Sequence, residues 1–342
     1  MKIKPMTKFA ILALSLVLVA CAGGGSEEAG CPAIDGREIN VVATTPMIGE
    51  FVSQVGGENI NLTVLMPPEA NPHTYEPAPQ DAGTIAEADL VFYTGLLYEP
   101  AALVKLLENS ACSTDILSEV GESVFPIEFK EGGHDDHDDH DDEEGHDDEE
   151  GHDDEEGHDD HEGHNHGAYD PHFWFDPSRV AYAAEYIESR LIQFDPENES
   201  SYKSSADSFV SELNDLTKQV SELISTVPSQ NRKLITTHES LGYLEAKFGL
   251  EVLSTIIPSL NSANEISPSD LAGVIDVIED NNVKVIFIES EAPSVYSETI
   301  VAETGIKPVT GLYVETLKPG QSYSEFLISN VKLITENLQD TD

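Results

Sequence analysis

The stretch "DPENESSYKSSADSFVSELNDLTKQVSELISTV", residues 195–227, decides how the rest of the chain is interpreted. Asp195 is a credible N-cap, and the proline that follows it suits the first position of a helix. Apolar residues then recur at spacings of four and three, which is the pattern of an amphipathic helix; they are Tyr202, Ala206, Phe209, Leu213, Leu216, Val220, Leu223 and Val227. The pattern predicts a helix of about 30 residues and roughly 45 to 50 Å, which is long enough to span a whole protein.

Short β-branched runs alternate with helical patterns on both sides of this segment. "INVVATT" (39–45), "INLTVLM" (60–66) and "DLVFYTG" (89–95) precede it, and "KLITT" (233–237), "EVLSTII" (251–257) and "VKVIFIES" (283–290) follow it. Such alternation favours parallel sheets with helical crossovers. We therefore expect an α/β fold, with two Rossmann-like lobes that have central parallel sheets and are joined by one long rigid helix. A coiled coil is the other interpretation of the helix.

These patterns set the expected domain limits. The N-terminal α/β lobe covers residues 38–194, the linking helix 195–227 and the C-terminal α/β lobe 228–342. A length of 342 residues allows two lobes, because single hydrophobic cores stop growing at roughly 250 to 300 residues.

The N-terminus has the pattern of an export signal. Three lysines precede the apolar run "FAILALSLVLVA", which is too short for a membrane span and is typical of a signal peptide over residues 1–20. "LVAC", which ends at Cys21, resembles the lipobox of bacterial lipoproteins, so Cys21 is the expected lipidation site and residues 21–37 a flexible tether. An ordinary signal peptide with an incidental cysteine is the alternative. Either way the protein is exported, and we expect it in the periplasm or anchored by lipid to the outer face of the cell membrane.

Two further cysteines, Cys31 and Cys112, remain in the exported chain. Disulfides persist in oxidising compartments, so we expect one bond that joins the entry segment to the first lobe. Two unpaired cysteines are the alternative.

The charge of the chain restricts its partners. The chain has 65 acidic and 17 basic residues and a formal net charge of −48. Twenty of the acids lie between Glu131 and Glu162, so the remainder is itself acidic. Such a surface repels nucleic acid and anionic headgroups and attracts cations. We expect no nucleic-acid partner, and we expect a monomer.

A low-complexity tract of His, Asp and Glu occupies residues 131–167 and includes nine of the twelve histidines. It is too polar to bury a core, so we expect it to be disordered without a ligand. A solvated acidic segment is one interpretation, and weak binding of several metal ions is another. Calcium binding is disfavoured, because the spacing of an EF-hand loop is missing.

The other three histidines occupy unusual positions. His73 lies in "PPEANPHTYEP" after a strand, His172 in "YDPHFWFDP" and His238 in "LITTHES" at a strand end. In open α/β sheets, ligands bind beyond the carboxyl ends of the strands. Three imidazoles and one carboxylate complete a tetrahedral zinc site.

The segments "NPHTYEP", "PHFWFDP", "THESLGYLEAKFGL" and "LYVETL" resemble the solute-binding proteins of zinc and manganese ABC transporters, and the resemblance covers about residues 38–340. It implies that His73, His172 and His238 are metal ligands and that Glu315 of "GLYVETL" is the fourth. Manganese-type members tend to have a carboxylate at the third position, so His238 indicates the zinc type. Glu239 is the rival acid ligand, but a neighbouring side chain on a strand end should point the other way.

The resemblance implies capture of Zn²⁺ in an interlobe cleft and its delivery to the permease of an ABC importer. The family often has a His-rich acidic loop at the position of residues 131–167, so this tract is interpreted as a zinc collector.

The alternative functions are a manganese or mixed-metal carrier, a metal-dependent adhesin and a zinc-buffering lipoprotein. A zinc hydrolase is the weakest, because four protein ligands leave no position for a nucleophilic water and H-E-x-x-H is absent from the sequence. Ligand imidazoles must be neutral, so affinity is expected to fall as the pH drops through about 6.

Overall fold

The structure is a computed structural model that describes residues 31, 34, 36–129, 169–291 and 295–339. The proposed signal peptide, Cys21 and the His-rich tract therefore lie outside the described residues. Within the described part, no helix is both long and apolar enough to cross a membrane.

The first lobe has a parallel sheet of four strands in the order β2-β1-β3-β4. Its elements are β1 (Ile39–Ala43), α1 (Pro46–Gly56), β2 (Ile60–Val64), α2 (Pro79–Ala86), β3 (Leu90–Tyr93), α3 (Ala101–Ser110) and β4 (Leu117–Glu119). The sequence patterns did not predict α1 or β4. Helix α1 follows β1 almost directly and is capped by the Thr45 hydroxyl, which accepts a hydrogen bond from the backbone N–H of Ile48. Strand β4 has three residues, too few for a period-two pattern to appear.

Helix α4 (Pro177–Phe194) packs on the first lobe, and the long helix α5 (Glu199–Ser225) follows it and contacts both lobes. The long helix starts later than the sequence predicts, because Asp195 ends α4 and residues Pro196–Asn198 form a 3₁₀ turn. The Asp195 carboxylate accepts hydrogen bonds from the Asn198 amide and the Tyr202 hydroxyl. The predicted apolar stripe is buried as far as Val220, but the next fully buried residue is Ile224, while Leu223 is half-buried.

The second lobe alternates strands and helices. Its elements are β5 (Lys233–His238), α6 (Gly242–Phe248), β6 (Glu251–Ile257), α7 (Pro268–Asp280), β7 (Val285–Glu289), α8 (Val295–Thr304), β8 (Lys307–Leu312) and α9 (Tyr323–Gln339). The strands form two parallel pairs, β5 with β6 and β7 with β8, and β5 lies beside β7. The predicted class, α/β with parallel strand pairing, is confirmed, although this lobe has two strand pairs where one continuous sheet was expected.

A continuous cluster of buried apolar side chains runs from β1 through α5 to α9, so the core crosses from one lobe to the other. Helix α5 packs against α1 and α4 of the first lobe and against α9 of the second. Buried hydrogen bonds also cross the seam: the Trp174 indole N–H donates to the Val314 carbonyl at 2.8 Å, and the Tyr323 hydroxyl donates to the Trp174 carbonyl at 2.6 Å. The shared core and these hydrogen bonds hold the two lobes together.

A disulfide ties the entry segment to the first lobe. Cys31 is bonded to Cys112, just after α3, and their Cα atoms are 5.0 Å apart. The chain is thus attached to the lobe before β1 begins.

Candidate metal centre

Four side chains predicted as metal ligands meet between the lobes. His73 lies in a 3₁₀ turn after β2, and His172 precedes the 3₁₀ turn Phe173–Phe175. His238 is the last residue of β5, and Glu315 follows β8. One potential ligand atom from each residue lies within 4.8 Å of every other. The fold therefore brings together residues that are up to 242 positions apart in the chain.

The distances from the Glu315 carboxylate to the three imidazoles are close to the ligand separations of a tetrahedral site. Glu315 Oε1 lies 3.1 Å from His73 Nε2 and 3.0 Å from His238 Nε2, and Glu315 Oε2 lies 3.6 Å from His172 Nε2. Zinc–ligand bonds of about 2.0 to 2.1 Å would separate the ligand atoms of a tetrahedron by about 3.3 Å. The four side chains are at most 2% exposed. The cluster is the right size for one zinc-sized ion.

Two imidazole nitrogens in the cluster are buried without a hydrogen bond. His172 Nε2 and His238 Nε2 have no hydrogen-bond partner among the described residues, although Glu315 is nearby. Buried polar atoms are rarely left unsatisfied, because their desolvation costs free energy. The arrangement is the one expected where a cation satisfies these nitrogens.

Carboxylates hold the opposite nitrogen of two of these rings. Asp170 Oδ1 lies 2.8 Å from His172 Nδ1, and Glu289 Oε2 lies 2.5 Å from His238 Nδ1. When Nδ1–H donates to a carboxylate, the Nε2 lone pair is free for a metal and the ring is fixed in orientation. The sequence interpretation missed both acids. Glu289 ends a buried strand, so the strand-end argument that singled out His238 could have found it.

A strained loop places Tyr98 against the Glu315 carboxylate. The Tyr98 hydroxyl donates to Glu315 Oε2 at 2.9 Å. Gly95, Leu96 and Leu97, which precede it, all have positive φ, and a Cβ on Gly95 would lie 2.0 Å from the Glu119 carboxylate. The backbone N–H of Gly95 donates to the buried Glu99 carboxylate, which offsets part of the strain. No pattern in the sequence indicates this contact.

The chain matches a known family over most of its length. A profile of the family described as "ZnuA: Zinc-uptake complex component A periplasmic" matches residues 41–337. The chain belongs to the ZnuA family. Members of this family are the solute-binding components of transporters and act outside the cytoplasmic membrane. The protein is therefore a transport component and not an enzyme.

Relatives of this ZnuA-family chain include proteins named for two metals. The high-affinity zinc uptake system protein ZnuA of Bacillus subtilis is 28% identical over 340 residues, which are 96% of each chain. The manganese ABC transporter substrate-binding lipoprotein PsaA of Streptococcus anginosus is 26% identical over 345 residues, 98% of this chain and 99% of the relative. The solved structure of the periplasmic zinc binding protein TroA from Treponema pallidum has a TM-score of 0.73 at 20% identity and covers 88% of this chain and 99% of its own. The last comparison confirms the two-lobed fold.

Burial and neighbouring charge shift the pKa values in this ZnuA-family site. Burial alone would lower the pKa of His172, but the Asp170 and Glu315 carboxylates raise it to about 9. The pKa of His238 is also raised well above its ordinary value, against the effect of burial, by Glu289 and Glu315. Burial opposes ionisation of Glu315, yet the His73 and His238 imidazoles hold its pKa well below the usual range. The metal-free site therefore carries protons that a cation must displace, at a higher pH than an ordinary histidine would suggest.

Two other carboxylates lie close to the centre. Glu239, the rival ligand, accepts a hydrogen bond from the Thr255 hydroxyl at 2.9 Å and is not part of the cluster of four. Glu291 accepts hydrogen bonds from the backbone N–H groups of Val314 and Glu315. Burial, with the charges of Glu315 and Glu289, raises the pKa of Glu291 to about 8. Glu291 thus braces the backbone of the segment that carries Glu315.

Proposed function

We propose that the protein captures Zn²⁺ between its lobes, with His73, His172, His238 and Glu315 as ligands, and delivers it to the permease of an ABC importer. One observation carries the proposal: three imidazoles and one carboxylate converge in a buried cluster, and two of the Nε2 atoms have no hydrogen-bond partner among the described residues. In this transport the protein binds the ion, holds it between the lobes and later releases it.

The donor set favours zinc over manganese. Imidazole nitrogen suits borderline Zn²⁺, whereas harder Mn²⁺ prefers oxygen donors and lies lowest in the usual affinity order. Three nitrogens and one carboxylate therefore support zinc as the cargo. Manganese is the second candidate, because relatives named for manganese transport resemble this chain about as closely as the zinc-named relative does.

The remaining parts of the chain fit an anchored carrier. We propose that Cys21 is lipidated, that residues 21–37 tether a monomeric two-lobed body to the membrane, and that the lobes cover 38–194 and 228–342 on either side of the linking helix 195–227. Several relatives are named as lipoproteins, which supports the anchor.

The tract at 131–167 ends close to His172 in the sequence, and we propose that it collects zinc weakly for the cleft.

Isothermal titration of the exported chain tests the site. We expect one tight zinc site per chain, retained when residues 131–166 are deleted, and additional weak sites that disappear with the deletion. Glu315→Ala should weaken the tight site, whereas Glu239→Ala, the matched control, should leave it unchanged because Glu239 bonds to Thr255. Loss of the tight site on deletion, or wild-type affinity in Glu315→Ala, would contradict the assignment.

Competition between metals tests the role of the third imidazole in the choice of metal. Zinc should displace Mn²⁺ at equal concentrations, and His238→Glu should shift the preference toward Mn²⁺ by replacing a nitrogen donor with oxygen. An unchanged preference in His238→Glu would show that this nitrogen donor does not decide between the two metals.

A further inference from the structure

Asn71 uses its whole side-chain amide to connect the His73 turn with the opposite lobe. Its Oδ1 accepts a hydrogen bond from the His73 backbone N–H at 2.9 Å. Its Nδ2 donates to the Ser262 hydroxyl at 3.0 Å and to the Glu291 carbonyl at 3.2 Å. The two acceptors lie 191 and 220 residues away in the chain. One side chain thus caps a ligand-bearing turn and bonds across the cleft.

The two acceptors, the Ser262 hydroxyl and the Glu291 carbonyl, belong to segments of the second lobe that lie beside the cluster. Ser262 follows β6 and is 1% exposed. Glu291 comes two residues after Glu289, the acid that orients His238, and its carboxylate accepts from the backbone of Glu315. The Asn71 amide therefore ties the turn that carries His73 to the frame of the other ligands.

The chemistry of this contact requires an amide at position 71. Asparagine has one acceptor and two donor hydrogens, and all three functions are used here. Aspartate would keep the acceptor for His73 but could not donate to the Glu291 carbonyl, and alanine would provide neither function. The bond to His73 and the bonds across the cleft can therefore be separated by substitution.

We propose that Asn71 is a positioning residue that latches the His73 turn to the second lobe and so sets the rate at which the bound ion leaves. The proposal rests on the proposed function, because it assumes that His73 is a ligand of the transported ion. For the ion to escape, the His73 imidazole must move away from Glu315, and the two Asn71 bonds across the cleft resist that movement. Docking to a permease could release the ion by breaking these two bonds without unfolding either lobe.

The rate of zinc release tests the latch. Zinc-loaded protein is mixed with excess chelator, and release is followed by stopped-flow fluorescence for wild type, Asn71→Asp, Asn71→Ala, Ser262→Ala and the double variant Asn71→Asp/Ser262→Ala. A net hydrogen bond corresponds to about a three- to tenfold change in an equilibrium, so we expect release about tenfold faster in Asn71→Asp and about threefold faster in Ser262→Ala. The double variant should be at least as fast as Asn71→Asp, because the Ser262 hydroxyl can still donate to an aspartate at position 71 and keep part of the contact.

Ser201→Ala is the matched control. Ser201 on α5 accepts a hydrogen bond from the Asn59 side-chain amide at 2.8 Å. This is also an asparagine–serine contact, but it does not involve the segments that carry the proposed metal ligands. This variant should release zinc at the wild-type rate. If Asn71→Ala is fast while Asn71→Asp and Ser262→Ala are normal, Asn71 merely caps the turn and the latch is wrong.

Hydrogen exchange in the metal-free protein separates failure of the latch from failure of the proposed function. Ser262→Ala alters the second lobe alone, yet it should speed amide exchange in residues 71–75 of the first lobe. Unchanged exchange there would overturn the latch even if zinc binds as proposed. Faster exchange in a protein that fails to bind zinc would support the latch and refute the zinc assignment.

Discussion

At the scale of single residues, the centre depends on acids that do not themselves belong to the cluster of four. Asp170 accepts hydrogen bonds from both the backbone N–H and Nδ1 of His172. The backbone around it is fixed in turn by the Tyr243 hydroxyl, which donates to the Asp170 carbonyl at 2.8 Å. Gly242 permits this approach, because a Cβ there would lie 2.7 Å from Asp170 Oδ2. The orientation of His172 is therefore set by residues from both lobes.

If His172 is a zinc ligand as proposed, replacing Asp170 by asparagine should weaken zinc binding about ten- to hundredfold, the usual effect of losing a carboxylate behind a histidine ligand. The amide preserves size but removes the charge that favours the Nδ1–H form of the ring. Titration against a competing chelator measures the change. Asp215→Asn, an equal change of charge on the exposed face of α5, should bind zinc normally. Equal affinities for Asp170→Asn and wild type would show that the ring is held by other contacts.

Zinc affinity should rise with pH up to about 9, because the ion must displace a proton from His172, whose pKa is raised to about 9. Chelator competition at several pH values between 6 and 9 measures this rise. A plateau that begins near pH 6.5 would mean that His172 titrates like an ordinary histidine and would contradict the raised value.

The stability of the metal-free protein should fall as the pH rises, whereas zinc affinity rises. The pKa of His172 is about 9 in the fold against 6.5 for the ordinary group, so its stabilising contribution is complete below pH 6.5 and is lost as the pH rises through 9. Glu291, raised from 4.5 to about 8, acts with the same sign over its own range. Thermal unfolding in chelator should therefore show a falling midpoint from pH 6.5 to 9, and a rising midpoint would refute the sign.

At the scale of elements, α5 determines how the lobes are joined. Its buried residues form one face from Tyr202 to Ile224, and that face contacts helices of both lobes. The sequence pattern predicts Leu223, three residues after Val220, as the next buried residue of the stripe. Packing selects four, so Ile224 is buried and Leu223 lies at the edge of the core.

Neighbouring alanine substitutions test this register. Ile224→Ala should lower the free energy of unfolding by about 2 to 4 kcal/mol, because it removes a fully buried side chain and leaves a cavity. Leu223→Ala, which removes a similar volume from a half-buried position, should cost about 1 kcal/mol. Urea unfolding of the metal-free variants measures both. A larger loss in Leu223→Ala would place the other register in the core.

At the scale of the whole molecule, the disulfide closes a long segment of chain. Cys31 and Cys112 are 81 residues apart, so their bond restricts the unfolded chain far more than a short loop would. The loop-entropy relation gives an upper value of about 4.5 kcal/mol for this length. Cys31→Ser with Cys112→Ser should lower the free energy of unfolding by up to that amount.

Zinc stoichiometry should be unaffected by that double substitution, because neither cysteine belongs to the cluster of four. Urea unfolding and zinc titration on the same samples separate the two effects. Loss of zinc binding in the folded double variant would mean that the disulfide also supports the centre.

The sequence by itself determined the α/β class, the long linking helix and the four residues of the cluster. Apolar periodicity reports which face of an element is buried, and the motifs around His73, His172 and His238 carry a family resemblance that can be read locally. The start of α5, the helix α1 and the strand β4 escaped prediction, because caps and short strands depend on contacts that leave little pattern.

Tertiary structure alone decided what surrounds the four residues. Asp170, Glu289 and Tyr98 contact the cluster because the lobes pack against each other across a shared core. The same packing lets Asn71 bond to Ser262 and Glu291. These contacts join positions far apart in the chain, and hydrogen-bond geometry depends on distances of a few tenths of an ångström. Such distances are set by the packing of all the elements at once, so no local stretch of sequence encodes them.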